Sequence, residues 1–255
     1  MKRLILLGMV VFLCAPYSGA QLWKMKRYEV TAGLGTSQFY GDVGGYTIGQ
    51  NALGFKDLTF RQTRFNVNGS FRYFLYDNIA LRLSLSYLML HATDVRGSNE
   101  NRMYESLTSL FEPALLGEYY FVRNRERNSF LFQTYRGRSR NRLKDFLRSV
   151  DVYVLSGIGG AAYFVNPNDA LAARDMPTKG FTGFVPLGLG AKLAFDPNIL
   201  FGVEFTGRYA FNDYLDGYTS DWSKRNDVYH TFSLTFNYRI RTARSGLPAF
   251  RQSYR

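Results

Sequence analysis

Apolar and polar side chains alternate along eight stretches of this chain, each about ten residues long and bounded by turn-forming residues. The third is the clearest: Ile79, Leu81, Leu83, Leu85, Tyr87 and Met89 share one face, and Ala80, Arg82, Ser84 and Ser86 share the other. A period of two is that of a β-strand, so each stretch predicts a strand with one apolar and one polar face. The first sets Tyr28, Val30, Ala32 and Leu34 against Glu29, Thr31, Gly33 and Gly35, and the second Phe65, Val67, Phe71 and Tyr73 against Asn66, Asn68, Ser70 and Arg72. In the fourth, Phe111, Leu115, Tyr119 and Phe121 oppose Glu112, Ala114, Glu118 and Tyr120. The fifth, around Val150 to Phe164, is rich in glycine, and its facing is ambiguous. The sixth opposes Val185, Leu187, Leu189 and Leu193 to Gly188, Gly190 and Lys192, and the seventh Phe201, Val203, Phe205 and Tyr209 to Gly202, Glu204, Thr206 and Arg208. The last opposes Phe232, Leu234, Phe236 and Tyr238 to Thr231, Ser233, Thr235, Asn237 and Arg239.

A soluble β-sandwich would alternate as well, and two features favour a barrel in a membrane. Charged residues recur in mid-strand on the polar face (Glu29, Arg72, Arg82, Glu112, Glu118, Lys192, Glu204 and Arg208), which suits a lumen where opposite charges pair. Connections also alternate in length. Tight turns at Tyr76-Asp77-Asn78 and Asp196-Pro197-Asn198 face long polar loops near 36–60, 93–107, 165–180 and 212–227. Short turns on one side and long loops on the other are the habit of outer-membrane barrels, and strands in lipid must close into a ring because a bilayer satisfies no backbone hydrogen bond. The expected fold is all-β, an eight-stranded antiparallel transmembrane barrel resembling OmpA and OmpX, with a short periplasmic helix. Eight strands leave an interior just wide enough for side chains, so the lumen charges predict a structural plug rather than a diffusion pore.

The first residues change the compartment. Lys2 and Arg3 precede the apolar run Leu4 to Leu13 and the small residues Ser18-Gly19-Ala20, the pattern of a cleaved export signal over 1–20. The lone cysteine, Cys14, follows Leu13 where lipoprotein signals carry a small residue, and cleavage after Ala20 leaves a chain without cysteine. No later run reaches the roughly 18 apolar residues of a transmembrane helix. The 19 Tyr, 22 Phe and 24 Gly suit strands, bends and aromatic girdles, and a mean hydropathy of -0.21 fits a barrel that shows only alternate residues to lipid.

Removing Lys2 and Arg3 lowers the formal net charge from +12 to +10. In an exported chain such an excess points to anionic lipid or an acidic protein rather than to nucleic acid. It is concentrated in two places. The fourth connection, 122–149, should be a short turn, yet it carries Arg123, Arg125, Arg127, Arg136, Arg138, Arg140, Arg142, Lys144 and Arg148 against Glu126 and Asp145. Leu143, Phe146, Leu147 and Val150 recur there at helical spacing. The tail 241–255 adds Arg241, Arg244, Arg251 and Arg255. With the barrel over 21–240 and an even strand count, both termini and both basic segments face the periplasm. They either touch anionic head groups or dock a periplasmic partner, for which Arg136, Arg138, Arg140, Arg142, Lys144 and Arg148 are the candidate contacts.

Candidate chemistry is sparse. His91 and His230 sit at external strand ends; Thr93 follows His91 on the same face with Asp94 adjacent, and His230 shares its face with Phe232. A lipid hydrolase would need a nucleophile, a base and an orienting acid, and neither histidine offers that set plainly, so no enzyme is expected. No His or Cys cluster predicts a metal, Tyr40-Gly41-Asp42 and Asp213-Tyr214-Leu215-Asp216 lack the spacing of a calcium loop, and nothing predicts a cofactor or small-molecule substrate.

The runs Gln38-Phe39-Tyr40-Gly41-Asp42-Val43-Gly44-Gly45, Ile79 to Tyr87 followed by Asp94, Glu112 to Phe121, and Asn212-Asp213-Tyr214-Leu215-Asp216 resemble the PorG-like outer-membrane barrels of Bacteroidetes, over nearly the whole chain after the leader. That group includes the barrel component of the type IX secretion system. The resemblance implies a structural accessory of protein export that contacts a periplasmic ring of PorK-like and PorN-like proteins and carries no catalytic residues. The long basic linker departs from the compact form of many members. An alternative is a binding or adhesion barrel acting through Tyr40, Tyr218 and Trp222 of its external loops.

Overall fold

The computed structural model describes residues 22–41, 43, 60–95, 100–124, 129–130, 147–219 and 226–249. The leader, Asp42, Trp222, and the run from Arg136 to Lys144 lie outside the described residues.

Each predicted stretch is a strand: β1 (Tyr28–Tyr40), β2 (Arg64–Phe74), β3 (Ile79–Thr93), β4 (Glu105–Val122), β5 (Val150–Pro167), β6 (Lys179–Ala194), β7 (Ile199–Ala210) and β8 (Val228–Thr242). Every strand pairs antiparallel with its neighbour in sequence, and β1 also pairs with β8 from Tyr28↔Ile240 to Tyr40↔Val228. That last pairing closes the sheet, so neither β1 nor β8 is left with an open edge in lipid. The fold is a closed eight-stranded antiparallel β-barrel. Among the described residues no helix is long and apolar enough to cross a membrane.

The alternation read from the sequence is the alternation of burial. Along β3 every residue from Ile79 to Leu88 switches between exposed and buried, with Ile79, Leu81, Leu83, Leu85 and Tyr87 outward and Arg82, Ser84 and Ser86 inward beside the buried apolar Ala80 and Leu88. The wall is uneven: β4 and β5 have 18 residues each where β2 has 11 and β7 has 12. A tilted strand needs only about 9–11 residues to span a bilayer, so β4 and β5 stand above the membrane at the end carrying the long loops. That end is the loop end, and the opposite one, where β1 begins, β8 ends and the short turns lie, is the turn end.

The fifth strand resolves the ambiguous facing. Asp151, Tyr153, Leu155, Ala161 and Tyr163 point inward, and Ile158, 66% exposed, points out. The glycines that blurred the pattern make room for aromatics across the seam: a side chain at Gly190 would collide with the Tyr153 ring, its register partner. Three boundaries differ from the sequence reading. Val150 opens β5 instead of extending a helix, although Leu147 and Arg148 just before it are helical. A short helix, α1 (Asp169–Ala172), lies in the third long loop, with Asn168 capping it by accepting the Leu171 N–H at 3.0 Å. The barrel runs on to Thr242, and the tail then returns as the two-residue strand β9 (Pro248–Ala249) against Arg241 and Thr242.

Candidate functional site

The outer wall fixes the solvent that surrounds the barrel. Leu83, Leu85, Leu115, Ile158, Leu187, Leu189 and Leu234 are all exposed in the middle of the wall. Aromatics flank that aliphatic belt, with Tyr76, Tyr119, Phe121 and Tyr238 toward the turn end and Phe164, Phe181 and Phe211 toward the loop end. A continuous apolar belt with aromatic girdles around a closed barrel would be untenable in water, and it is the surface of a transmembrane barrel.

The bore is packed in layers. At the turn end, Phe74, Tyr120 and Tyr153 stack with ring centroids 5.4 and 5.0 Å apart, and the Arg123 guanidinium lies 4.3 Å from the Phe74 ring centroid. Above them is a network of paired charges. Arg72 grips Glu118 with two bonds, Nε to Oε2 at 2.6 Å and Nη2 to Oε1 at 2.9 Å, and also donates to Glu29. Arg82 grips Glu204 in the same two-bond manner at 2.5 and 2.8 Å and reaches Glu118 at 3.1 Å. Lys192 donates to Glu29 and to the Tyr120 hydroxyl, each at 2.7 Å, while the Tyr120 and Tyr153 hydroxyls donate to Glu118 and Glu204, also at 2.7 Å. Arg239 pairs with Asp151 at 2.7 Å, and Arg123 lies 3.6 Å from the same carboxylate. Nearer the loop end, Arg208 lies 3.0 Å from Glu112, which also accepts from Tyr229.

All eight charged residues read from the sequence as lumenal therefore face the bore, and each has an opposite partner. Asp151 and Arg123 were missed. Asp151 sat in the strand whose facing was open, and Arg123 lies just past the end of β4, where alternation gives no signal.

Between the two charged layers is a cavity of about 20 Å³, lined by Arg82, Ser84, Ser86, Glu112, Thr206 and Arg208. That is room for roughly one water molecule. The loop end is shut by an apolar plug. Leu215, with no exposed surface, and Leu171, Val43 and Val165 are buried together. Hydrogen bonds hold the plug: Thr108 Oγ1 donates to the Leu215 carbonyl at 2.6 Å, the Leu215 N–H donates to Asp227 at 2.8 Å, and Asp216 accepts the N–H groups of Val43 and Tyr218, each at 3.0 Å. Asp216, considered in the sequence as a calcium ligand, thus serves as a backbone clamp. A bore filled in this way predicts that purified protein in planar bilayers gives no resolved ion-conduction steps; sustained unitary currents would show that the packing opens.

The two histidines are apart. His91 Nε2 lies 2.8 Å from the carboxylate of Glu105, which is 54% exposed, and Thr93 Oγ1 accepts the N–H of Val95 at 3.4 Å. His230 stacks on Phe205 with centroids 5.7 Å apart. No group of three or more metal-ligating side chains occurs among the described residues. Of the candidate partner contacts, Arg148 is exposed at the turn end, and Arg136, Arg138, Arg140, Arg142 and Lys144 lie outside the described residues.

No protein-family model and no curated protein matches this chain. Among solved structures it is similar to Neisserial surface protein A, at 12% identity over 84% of this chain and 97% of that one, with a TM-score of 0.45. The N-terminal β-barrel domain of Pseudomonas aeruginosa OprF shares 14% identity over 84% and 99%, at 0.42, and Ail, the attachment invasion locus protein of Yersinia pestis, 13% over 85% and 99%, at 0.41.

Proposed function

We propose that this chain is a structural outer-membrane barrel, a PorG-like component of type IX protein secretion that anchors a periplasmic ring of PorK-like and PorN-like proteins. One observation carries the structural part of that reading: the bore is filled from the turn-end aromatics through two charged layers to the Leu215 plug. A barrel so filled does its work through its surfaces. The turn end has the surface to do it, since the start of β1, the end of β8, the short turns and the approaches to 125–146 gather there, with Arg148, Arg241 and Arg244 exposed. The loop motifs that resemble the PorG-like group support the family part, and the short turns and even strand count support a periplasmic turn end.

Reversing Arg138, Arg140 and Arg142 to Glu tests the docking claim. The expected result is unchanged heat-modifiable mobility, because no strand of the described barrel is touched, together with loss of co-purification of the ring proteins from solubilised outer membranes. Ring proteins that still co-purify at the wild-type level would remove the docking role.

The adhesion reading is favoured by one feature. The loop end is a built surface in which Arg102 lies over the Tyr104 and Tyr218 rings at 5.2 and 5.0 Å and pairs with Asp94 at 3.1 Å. Loss of function on changing Met103 and Arg174, with the basic turn-end segment intact, would favour it.

A further inference from the structure

The lipid-facing wall carries one feature that its girdles do not explain. Where β1, β6, β7 and β8 near the turn end, the outward side chains leave a groove of about 730 Å³. Ala32 and Ala191 line its two opposite ends, and Leu34, Leu193, Phe201 and Phe236 complete the lining with Val203 and Leu234. Register puts these side chains next to one another, with Ala32 opposite Phe236, Phe236 opposite Phe201, and Phe201 opposite Leu193. The volume falls within the roughly 300–1,000 Å³ of small-molecule sites, and a lining of aliphatic and aromatic groups calls for an apolar occupant.

The rim beside the groove is cationic. Lys24, Arg241 and Arg244 are exposed at the turn end, past the ends of the strands that line the groove, and neither 22–28 nor 240–249 contains an Asp or Glu. The rim is also built. The Tyr28 hydroxyl donates to the Gly246 carbonyl at 2.7 Å, β9 returns onto the end of β8, and Lys26 Nζ donates to the Pro197 carbonyl at 2.7 Å, tying the β6–β7 turn to the same place. Asp196 in that turn accepts the Asn198 N–H at 3.4 Å. Met25 and Leu247, 62% and 65% exposed, offer apolar contacts beside the cations.

We propose that groove and rim form a single site for an anionic phospholipid, with an acyl chain in the groove and the phosphate at Lys24, Arg241 and Arg244. The spacing suits one molecule. Ala32 is four residues along β1 from Tyr28, about 13 Å at the rise of a strand, so the chain descends while the headgroup stays at the water boundary. Basic rims next to membrane-spanning segments favour anionic headgroups, and the groove adds what a bare rim lacks, a fixed place for the tail. The site needs only the barrel in a bilayer and stands apart from the secretion role.

The test is native mass spectrometry of the full chain released from nanodiscs containing equal phosphatidylglycerol and phosphatidylcholine with matched acyl chains. Wild-type protein should retain phosphatidylglycerol preferentially. Arg241→Ser with Arg244→Ser should lower that preference by about 25-fold, at roughly fivefold per cation near a membrane surface. Ala32→Phe with Ala191→Phe, which fills the groove from outside the bore, should remove retained lipid of both kinds. Both variants are first checked for heat-modifiable mobility, and single substitutions replace any pair that does not fold. Equal retention of the two lipids by wild type overturns the site, as does a preference that survives groove filling, which would leave a charged rim alone. Cross-linking of the rim to an acidic periplasmic protein without lipid preference would likewise assign the cations elsewhere.

Discussion

Replacing Arg72 with Met will lower the stability of the folded barrel by about 3–5 kcal/mol, the usual cost of leaving a buried charge without its partner. Arg72 has no exposed surface and bridges Glu29 and Glu118. Once it is removed, Glu29 keeps Lys192 and the more distant Arg239, and Glu118 keeps one ion pair, 3.1 Å to Arg82, and the bond from the Tyr120 hydroxyl. Two carboxylates then face each other in a narrow bore with too little positive charge between them. Arg72→Met combined with Glu118→Gln should lose less than Arg72→Met alone, because one orphaned charge goes with its partner. Urea titration in micelles, read by the mobility difference between folded and heat-unfolded protein, measures both variants. A midpoint for Arg72→Met equivalent to less than about 0.5 kcal/mol of change would mean that water reaches the network and the bore is open.

Gly35→Val will prevent most of the protein from closing its barrel. Gly35 faces inward on β1 between Asn66 of β2 and Ser233 of β8. A Cβ there would overlap the Phe232 carbonyl oxygen and lie 2.6 Å from Ser233 Cα. Overpacking of side chains costs about 1–3 kcal/mol because rotamers can give way, whereas here the obstacle is the backbone of the closing strand. The seam also joins the first and last strands, the most distant pairing along the sequence, so its loss is not offset by local contacts. Pulse refolding into micelles should yield mainly the unfolded, slow-migrating form. Leu34→Val, one residue away and facing lipid, should refold like wild type. A Gly35→Val protein that refolds at the wild-type rate would show that the seam has room to spare.

What the sequence determined by itself was the environment of each side chain. Alternation records whether a position meets lipid or the bore, and that is a local property, so Ile79, Leu81, Leu83, Leu85 and Tyr87 could be placed outward and Arg82, Ser84 and Ser86 inward from their polarity. Charges on the polar face likewise announced a paired lumen, since isolated charges cannot be buried there. Tertiary structure alone decided who pairs with whom. Arg82 meets Glu204 across the bore, 122 residues away, and Arg239 meets Asp151, because closure and register bring those heights together. Where glycine erased the alternation, as in β5, the facing of Asp151 had to come from its neighbours' register. The Leu215 plug and the lipid-facing groove were equally hidden, for they are made by loops meeting at one end and by outward side chains of four strands brought side by side. Periodicity reports what surrounds a residue, and only the closed ring fixes which residue that is.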